Sequence, residues 1–188
     1  MAKNLRRART RLQQAALELF REQGYDQTTA AQVAERAGVT ERTFFRYFSD
    51  KREVLFGGED VLQDALTASI ADAPAELDPL DTLFRAFRSV RPVIEEYRPF
   101  TKPRHEVISA TPALFERELA KTSGLSDALA SALVERGLRE LPASLAAQAG
   151  MAALRGAVVS WFDDPDTELG DHLDLAFRDL RSLVAESG

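Results

Sequence analysis

Apolar side chains recur along the first part of the chain with the spacing of amphipathic helices. The first stripe has members at positions i, i+3, i+4, i+7 and i+8: Leu12, Ala15, Ala16, Leu19 and Phe20. It predicts a helix that ends near Gly24. Thr29 and Gln32 have the spacing of a capping box, which predicts a second helix to about residue 37. Thr40 is placed to cap a short third helix that reaches Phe48.

The rest of the chain also has helical spacing, and no stretch alternates as a strand does. Asp50 and Glu53 predict the start of a linking helix over about 50–70, bent at Gly57-Gly58. A linker rich in proline follows at 73–79. A further helix is predicted at about 80–94, with a kink at Pro92, and a short one at 107–110, after a break at Pro99 and Pro103. Three more helices are predicted at 114–134, 143–162 and 168–185. We therefore expect an all-α fold of about nine helices.

The second and third helices, joined by a tight turn at Gly38, predict a helix-turn-helix whose third helix enters the DNA major groove. Phe44 and Phe48 are spaced i, i+4 and should face inward. Arg42 would then face outward, where a guanidinium can bind guanine through two hydrogen bonds. Outward hydroxyls on Thr40, Thr43 and Tyr47 suit phosphate, and Lys51 suits phosphate at the start of the next helix.

Plainer interpretations of these residues also exist. Thr29 and Thr40 can be helix caps and nothing more, and a single Tyr or Lys on a helix is usually solvated. Helix-turn-helix spacing also arises by chance in all-α proteins.

Charge is distributed unevenly over the 188 residues, whose net charge is −6. Residues 1–52 carry a net charge of +5 and the remainder −11, so the N-terminal part is the one suited to a polyanion. The chain has no cysteine and two histidines, which leaves little material for a metal centre or a catalytic triad. We expect no cofactor, no metal site and no enzyme activity. Without a long apolar run or a secretory signal, a cytoplasmic protein is expected, with no membrane contact.

Residues 15–29, 33–40 and 43–48, together with Lys51, resemble the opening of TetR-family transcriptional regulators, and the match runs from about residue 11 to residue 55. The resemblance implies an N-terminal three-helix DNA-binding domain, here 1–52, and a helical ligand-binding and dimerisation domain, here 53–188. It also implies a set of DNA-contacting residues: Thr28, Thr29, Thr40, Arg42, Thr43, Phe45, Tyr47 and Lys51. Many members have tyrosine where this chain has Phe45, so the usual phosphate bond cannot form there. Phe45 would instead contact sugar or a thymine methyl, or pack internally.

The resemblance further implies a homodimer formed through the last two helices, which would bind a near-palindromic operator in double-stranded DNA. The sequence supplies small and apolar residues on these helices, and the predicted contacts are Ala146, Ala149, Gly150, Ala153, Ala157, Leu173, Ala176, Phe177 and Leu180. Without a partner such a surface leaves much apolar area exposed. Packing against the other helices of the same chain is the alternative.

Family members usually repress transcription and leave DNA when a small molecule enters the C-terminal domain. Candidate pocket residues are the aromatic side chains and their polar neighbours: Phe84, Phe87, Arg88, Tyr97, Phe100, Arg104, His105, Phe115, Arg155 and Trp161. An aromatic residue at helical spacing is, however, more often part of a core than of a pocket.

The favoured interpretation is thus a sequence-specific regulator released from a palindromic operator by a ligand. The alternatives are a ligand-independent regulator and a nonspecific DNA-binding protein. Operator sequence, ligand identity, regulated genes and the choice between repression and activation are not encoded in a recognisable way.

Overall fold

The computed structural model of the protein describes residues 2–164 and 166–185, with side chains for 7–164 and 166–183. Pro165, in the predicted break before the last helix, and the side chain of Val184 lie outside the described residues. Within these ranges the chain forms nine α-helices and no strand. They are α1 (Ala2–Gln23), α2 (Ala30–Arg36), α3 (Glu41–Tyr47), α4 (Glu59–Ala71), α5 (Pro79–Glu96), α6 (Arg98–Ala110), α7 (Pro112–Glu135), α8 (Glu140–Asp163) and α9 (Leu169–Ala185). The predicted all-α fold is confirmed.

The caps predicted for the two short helices are present. Thr29 accepts a hydrogen bond from the Gln32 amide at 3.2 Å, and the Gln32 side chain accepts one from the Thr29 amide at 2.8 Å. Thr40 caps α3 by accepting from the Thr43 amide at 3.2 Å. Between the helices Gly38 has a φ of +66°, a backbone conformation that costs other residues free energy. Helices of seven residues are unstable alone, so α2 and α3 depend on these caps and on the packing described below.

The predicted linking helix over 50–70 is wrong as a continuous element. A 3-10 turn at Arg52–Leu55 follows Asp50, whose carboxylate accepts from the amides of Arg52 and Glu53 at 2.7 and 3.1 Å. The chain then turns, and α4 starts only at Glu59. Gly58 has a φ of +99°, which an α-helix cannot contain.

The break predicted at Pro99 and Pro103 does not occur, because α6 starts at Arg98 and runs through Pro103. α5 is one helix through Pro92, where a kink was predicted. Pro99 lies in the first turn of α6, where its missing N–H has no helical partner to lose. The apolar faces of these helices pack into cores, and tertiary packing commonly overrides the local preference of one residue.

The chain divides into two compact units. The first comprises residues 1–59 and 99–120, and the second comprises 60–98 and 121–188. The first unit therefore contains α6 and the start of α7 in addition to the three N-terminal helices. The predicted functional division at residue 52 does not coincide with these packing units, and it stays a prediction.

The first unit has a core built from α1, α2, α3, the 3-10 turn and α6. Its buried side chains include Leu12, Phe20, Val33, Phe44, Phe48, Leu55, Ile108 and Leu114. Arg104 of α6 is half-buried beside this core, and its Nε donates to the Leu55 carbonyl at 2.6 Å. Burial lowers the pKa of Arg104, while Glu118 at 3.4 Å offsets part of that effect. Removal of this guanidinium would leave the Leu55 carbonyl without that donor.

The second unit packs α5 and the later part of α7 against α8 and α9. Its core contains the side chains of Leu83, Phe87, Leu129, Ala147, Trp161, Leu173 and Phe177. Arg136 holds the end of α4, because its guanidinium donates to the carbonyls of Ile70, Ala73 and Pro74 at 2.7–3.1 Å. These bonds satisfy carbonyls that a helix end leaves without partners.

Over the part of the chain that the structure describes, no helix is long and apolar enough to cross a membrane. Among those same residues, no group of three or more His, Asp or Glu side chains is placed to hold a metal ion.

The positive φ at Gly58 generates a stability prediction. We expect Gly58→Ala to lower the free energy of unfolding by roughly 1–2 kcal/mol, because an L-residue is strained there. The matched control is Gly124→Ala, in the middle of α7 with open space around its Cα. It should raise stability by up to about 1 kcal/mol, since alanine favours a helix. Urea unfolding of the unmodified protein and the two variants measures both changes. An equal effect of the two substitutions would contradict a strained backbone at position 58.

Candidate nucleic-acid interface

The rotation of α3 about its axis is set by two buried aromatic rings. Phe44 is fully buried and Phe48 is buried, with their ring centroids 5.5 Å apart. Because these residues lie on one face of α3, the opposite face points outward. The exposed side chains of α3 are those of Glu41, Arg42, Phe45 and Arg46. The structure therefore places Arg42 on the surface, as the sequence predicts, together with the guanidinium of Arg46.

Thr40, Thr43 and Tyr47 lie at the borders of this outward face. The hydroxyls of Thr40 and Thr43 are 3.0 Å apart, and Thr40 is exposed at the helix start. Tyr47 is half-buried, with its ring packed beside Phe48. The five residues predicted to contact DNA from this helix and its cap, Thr40, Arg42, Thr43, Phe45 and Tyr47, are thus brought together, and contact with DNA stays a prediction.

Arg46 belongs to the same surface, although it is not among the residues predicted from the sequence to contact DNA. Its guanidinium lies over the Tyr47 ring, 5.1 Å from the centroid, and Nη2 is 3.4 Å from the Tyr47 hydroxyl. This contact restricts the tyrosine and places a positive charge beside its hydroxyl. The spacing of Arg42 and Arg46, i and i+4, is the sequence signal that identifies the pair.

The two threonines before α2 have different environments. Thr29 is exposed and caps α2. Thr28 is only 1% exposed, and its hydroxyl donates to the Gly24 carbonyl at 2.8 Å. The prediction that the Thr28 side chain contacts phosphate is corrected by this placement: the side chain holds the turn between α1 and α2 and has almost no surface to offer.

The Lys51 side chain is bound by backbone carbonyls of the first unit. Its ammonium donates to the carbonyls of Tyr25 and Thr28 at 2.6 and 2.8 Å and lies 3.9 Å from the centre of the Tyr25 ring. Burial lowers the pKa of Lys51, with Asp26 acting weakly in the opposite direction. Burial likewise raises the pKa of the Tyr25 hydroxyl. The sequence predicts a phosphate ligand at Lys51, and the structure gives it a structural role close to the start of α2.

Two other cations near the helix-turn-helix, Arg36 and Arg52, are paired with carboxylates. Arg36 of α2 binds both oxygens of Glu22 at 3.0 and 2.8 Å, and this hydrogen bonding lowers the pKa of Glu22. Arg52 pairs with Asp50 at 3.2 Å. The positive charge on the outward face of α3 therefore comes from Arg42 and Arg46.

The predicted pocket residues are divided between the two units. In the second unit Phe87 and Trp161 are buried in the core, and Phe84 packs with its ring 5.1 Å from that of Phe177. Arg88 pairs with Asp174 at 2.8 Å. The side chains of Tyr97 and Arg155 are exposed.

The remaining four candidates belong to the first unit. Arg104 is half-buried as described above, and Phe100 packs against that unit's core. His105 and Phe115 are half-buried. A role for any of the ten in ligand binding stays a prediction.

A groove of about 450 Å³ lies between α7 and α8 in the second unit. Its lining contains none of the predicted pocket residues and consists of Asp127, Ala130, Ser131, Val134, Glu135, Glu140 and Ser144. Sequence reasoning missed this groove because its lining has no aromatic residue.

Four of the nine residues predicted to form the dimer interface are buried inside the second unit. Gly150, Ala157, Leu173 and Phe177 are buried, and a Cβ at Gly150 would lie 3.0 Å from Leu83. The other members are half-buried: Ala146, Ala149, Ala153, Ala176 and Leu180. For the four buried residues the alternative of internal packing is correct, since a partner cannot reach them.

A different face of the same two helices is exposed and apolar. On α8 it includes Leu141 at 70% exposure and Leu145 at 59%, with Ala152, Gly156 and Val159 continuing along the same side. On α9 Leu175 and Leu183 are exposed, two turns apart. We call these seven residues the α8–α9 apolar face. Because α8 carries small residues on its buried side and on its exposed side, the sequence alone does not distinguish the two sides.

Comparison with known families and proteins gives consistent matches. A family model described as bacterial regulatory proteins, tetR family, matches residues 12–56, and one described as the MftR C-terminal domain matches residues 77–185. The HTH-type transcriptional regulator TcmR of Streptomyces glaucescens is 33% identical over an alignment that covers 98% of this chain and 86% of that protein.

Two solved structures share the fold. FadR of Thermus thermophilus, a TetR-family transcriptional repressor solved with lauroyl-CoA, is 27% identical with a TM-score of 0.56, covering 92% of both chains. The fatty acid degradation regulator FadR of Bacillus halodurans is 19% identical with a TM-score of 0.65, covering 92% of this chain and 94% of that one.

The placement of Lys51 generates a prediction that separates its two roles. We expect Lys51→Met to lower the free energy of unfolding by roughly 1–3 kcal/mol, because the carbonyls of Tyr25 and Thr28 lose a charged donor. Arg21→Met, at an exposed position of α1, is the control and should change stability by less than about 0.5 kcal/mol. Denaturant unfolding without DNA measures both. Unchanged stability in Lys51→Met, with a flatter salt dependence of DNA binding, would instead assign Lys51 to phosphate.

Proposed function

Because the chain belongs to the TetR family of bacterial regulatory proteins, we propose that it regulates transcription by binding a specific DNA sequence through α2 and α3. The observation that carries the proposal is the outward face of α3, on which Arg42 and Arg46 are exposed while Phe44 and Phe48 fix the helix from below. A face of this size and charge suits the major groove, whose base edges offer acceptors to a guanidinium.

Each part of this surface has a distinct task. Arg42, near the N-terminus of α3, reads a base edge, with guanine as the favoured partner. Thr29, Thr40 and Thr43 are placed for phosphate or sugar, which sets the position of the protein without reading sequence. Tyr47, held by Arg46, donates its hydroxyl to a phosphate oxygen. Glu41 at the edge of this face repels phosphate and so limits how closely that end approaches the backbone.

We further propose a homodimer, with the α8–α9 apolar face as its interface. This face replaces the set of residues chosen from the sequence, because it is exposed in the single chain and carries five aliphatic side chains. An isologous contact between two copies buries these side chains symmetrically. Two recognition helices related by this symmetry read a near-palindromic operator.

The regulator is proposed to be a repressor that a small molecule releases from DNA. Support comes from FadR of Thermus thermophilus, a repressor solved with lauroyl-CoA, and from the match of residues 77–185 to the MftR C-terminal domain. A ligand has this effect only if it binds the DNA-incompetent state more tightly than the other state. The second candidate is a ligand-independent regulator, which is favoured by the burial of two predicted pocket residues, Phe87 and Trp161, in the core of the second unit.

Selection of bound duplexes from a random DNA pool tests the proposal. We expect the purified protein, at near-physiological salt, to enrich one motif with two related halves. Arg42→Ala should enrich a motif degenerate at one position in each half, with a loss of roughly 1–3 kcal/mol for the original sequence if the contact is bidentate. Binding without an enriched motif, and weakening steeply with salt, would mean that the protein binds DNA only through charge.

The interface proposal predicts a change of mass in solution. Leu145→Glu should convert a dimer into a monomer, because each of the two copies then places one charge in the apolar contact. The dimer has twice the chain mass of 20.8 kDa. Loss of two buried leucines alone raises the dissociation constant by roughly 100-fold or more. The control is Val61→Glu, on α4, where the valine is also exposed. Sedimentation equilibrium reports the masses, and a dimer that survives Leu145→Glu would exclude this face.

A further inference from the structure

One side chain on the outward face of α3 does not match its polar neighbours. Phe45 is 52% exposed, whereas Phe44 on the same helix and Phe48 directly after it are 0% and 4% exposed. The possibility that Phe45 merely packs into the core, open from the sequence, does not fit this placement. An aromatic ring with half its surface in water is unfavourable in the isolated protein, and burial against an apolar group would recover that free energy.

The ring is held in a defined position. It meets the Phe44 ring edge-to-face, with centroids 5.3 Å apart and an interplanar angle of 82°. Since Phe44 is fixed in the core, its contact supports one side of the Phe45 ring and leaves the other side outward. A supported ring with two rotatable side-chain bonds loses little freedom on contact with a ligand.

The neighbours of the ring indicate what it meets. Arg42 is one turn before it and Arg46 directly follows it, and both are exposed on the same outward face. Cations on both sides favour an anionic partner, and phenylalanine itself has no hydrogen bond to give a phosphate. On the base edges of the DNA major groove, the apolar group is the C5 methyl of thymine.

Building on the proposed function, we propose that Phe45 is a specificity-determining residue that packs on the C5 methyl of a thymine. The contact occurs once in each half of the operator, at a fixed distance from the base that Arg42 reads. Phe45 thereby selects thymine by an apolar contact, in a protein whose other contacts from α3 are polar.

Replacement of thymine by uracil tests this contact, because uracil lacks only the C5 methyl and keeps the hydrogen-bonding edge of thymine. The duplex recovered from the random pool is resynthesised with single deoxyuridines, placed symmetrically in both halves. We expect one position at which uracil weakens binding roughly fourfold per half, the value of one buried methyl. The other thymines should show smaller changes.

Variants of Phe45 link the effect to the ring. Phe45→Ala should bind the thymine duplex more weakly and lose the difference between thymine and uracil at that position. Phe45→Leu keeps an apolar side chain and should retain a reduced difference. Val61→Ala, which shortens an exposed apolar side chain on α4, is the control and should leave the ratio unchanged. Melting curves check that each variant is folded.

The outcomes separate this inference from the function on which it rests. An enriched motif with no uracil-sensitive position overturns the thymine contact and leaves the DNA-binding function intact. Uracil sensitivity that persists unchanged in Phe45→Ala also overturns it, because another residue then reads the methyl. Failure to enrich any motif overturns the proposed sequence-specific function, and the contact falls with it.

Discussion

The burial of Phe44 and Phe48 is the constraint from which the recognition surface follows. A seven-residue helix has no stability of its own, so the position of α3 depends on the two rings that it inserts into the first unit's core. A rotation of α3 by one residue, about 100°, would expose a phenylalanine and bury a guanidinium. The outward placement of Arg42 and Arg46 is therefore fixed by apolar packing on the opposite side of the helix.

Charged groups inside the first unit complete this arrangement by bonding to backbone carbonyls. Lys51 ties the 3-10 turn region to the connection before α2, and Arg104 ties α6 to Leu55. Removal of either cation takes a charged donor away from backbone carbonyls, which makes both residues costly to replace. The helix-turn-helix thus belongs to a larger unit that includes residues 99–120, and substitutions in α6 are expected to reach the DNA-binding surface through this packing.

The local features of the fold were predictable because they depend on neighbouring residues. Helical periodicity, the caps at Thr29 and Thr40 and the turn at Gly38 all follow from interactions within a few positions. The interruption between Asp50 and Glu59 was missed, since capping chemistry at its start resembles that of a long helix. The proline break predicted within α6 was wrong, because packing outweighs a single lost hydrogen bond.

The features that were missed depend on groups far apart in sequence. The carbonyls bound by Lys51 lie 23 and 26 residues away, and no spacing rule identifies them. The apolar stripe of α9 and the alanines and glycines of α8 suit a core as well as an interface, so the sequence did not separate Phe177 inside from Leu175 outside. Aromatic residues suggested a pocket, and the structure distributes them over the cores and surfaces of two units.

We propose that the outward face of α3 distinguishes one DNA sequence from others. This distinction is tested most directly by equilibrium binding to the enriched duplex and to a shuffled duplex of the same length and composition, over a range of salt concentrations. Our account predicts that both affinities fall as salt rises, while the enriched duplex stays at least about 1,000-fold tighter at physiological salt. Equal affinities for the two duplexes at every salt concentration would contradict it.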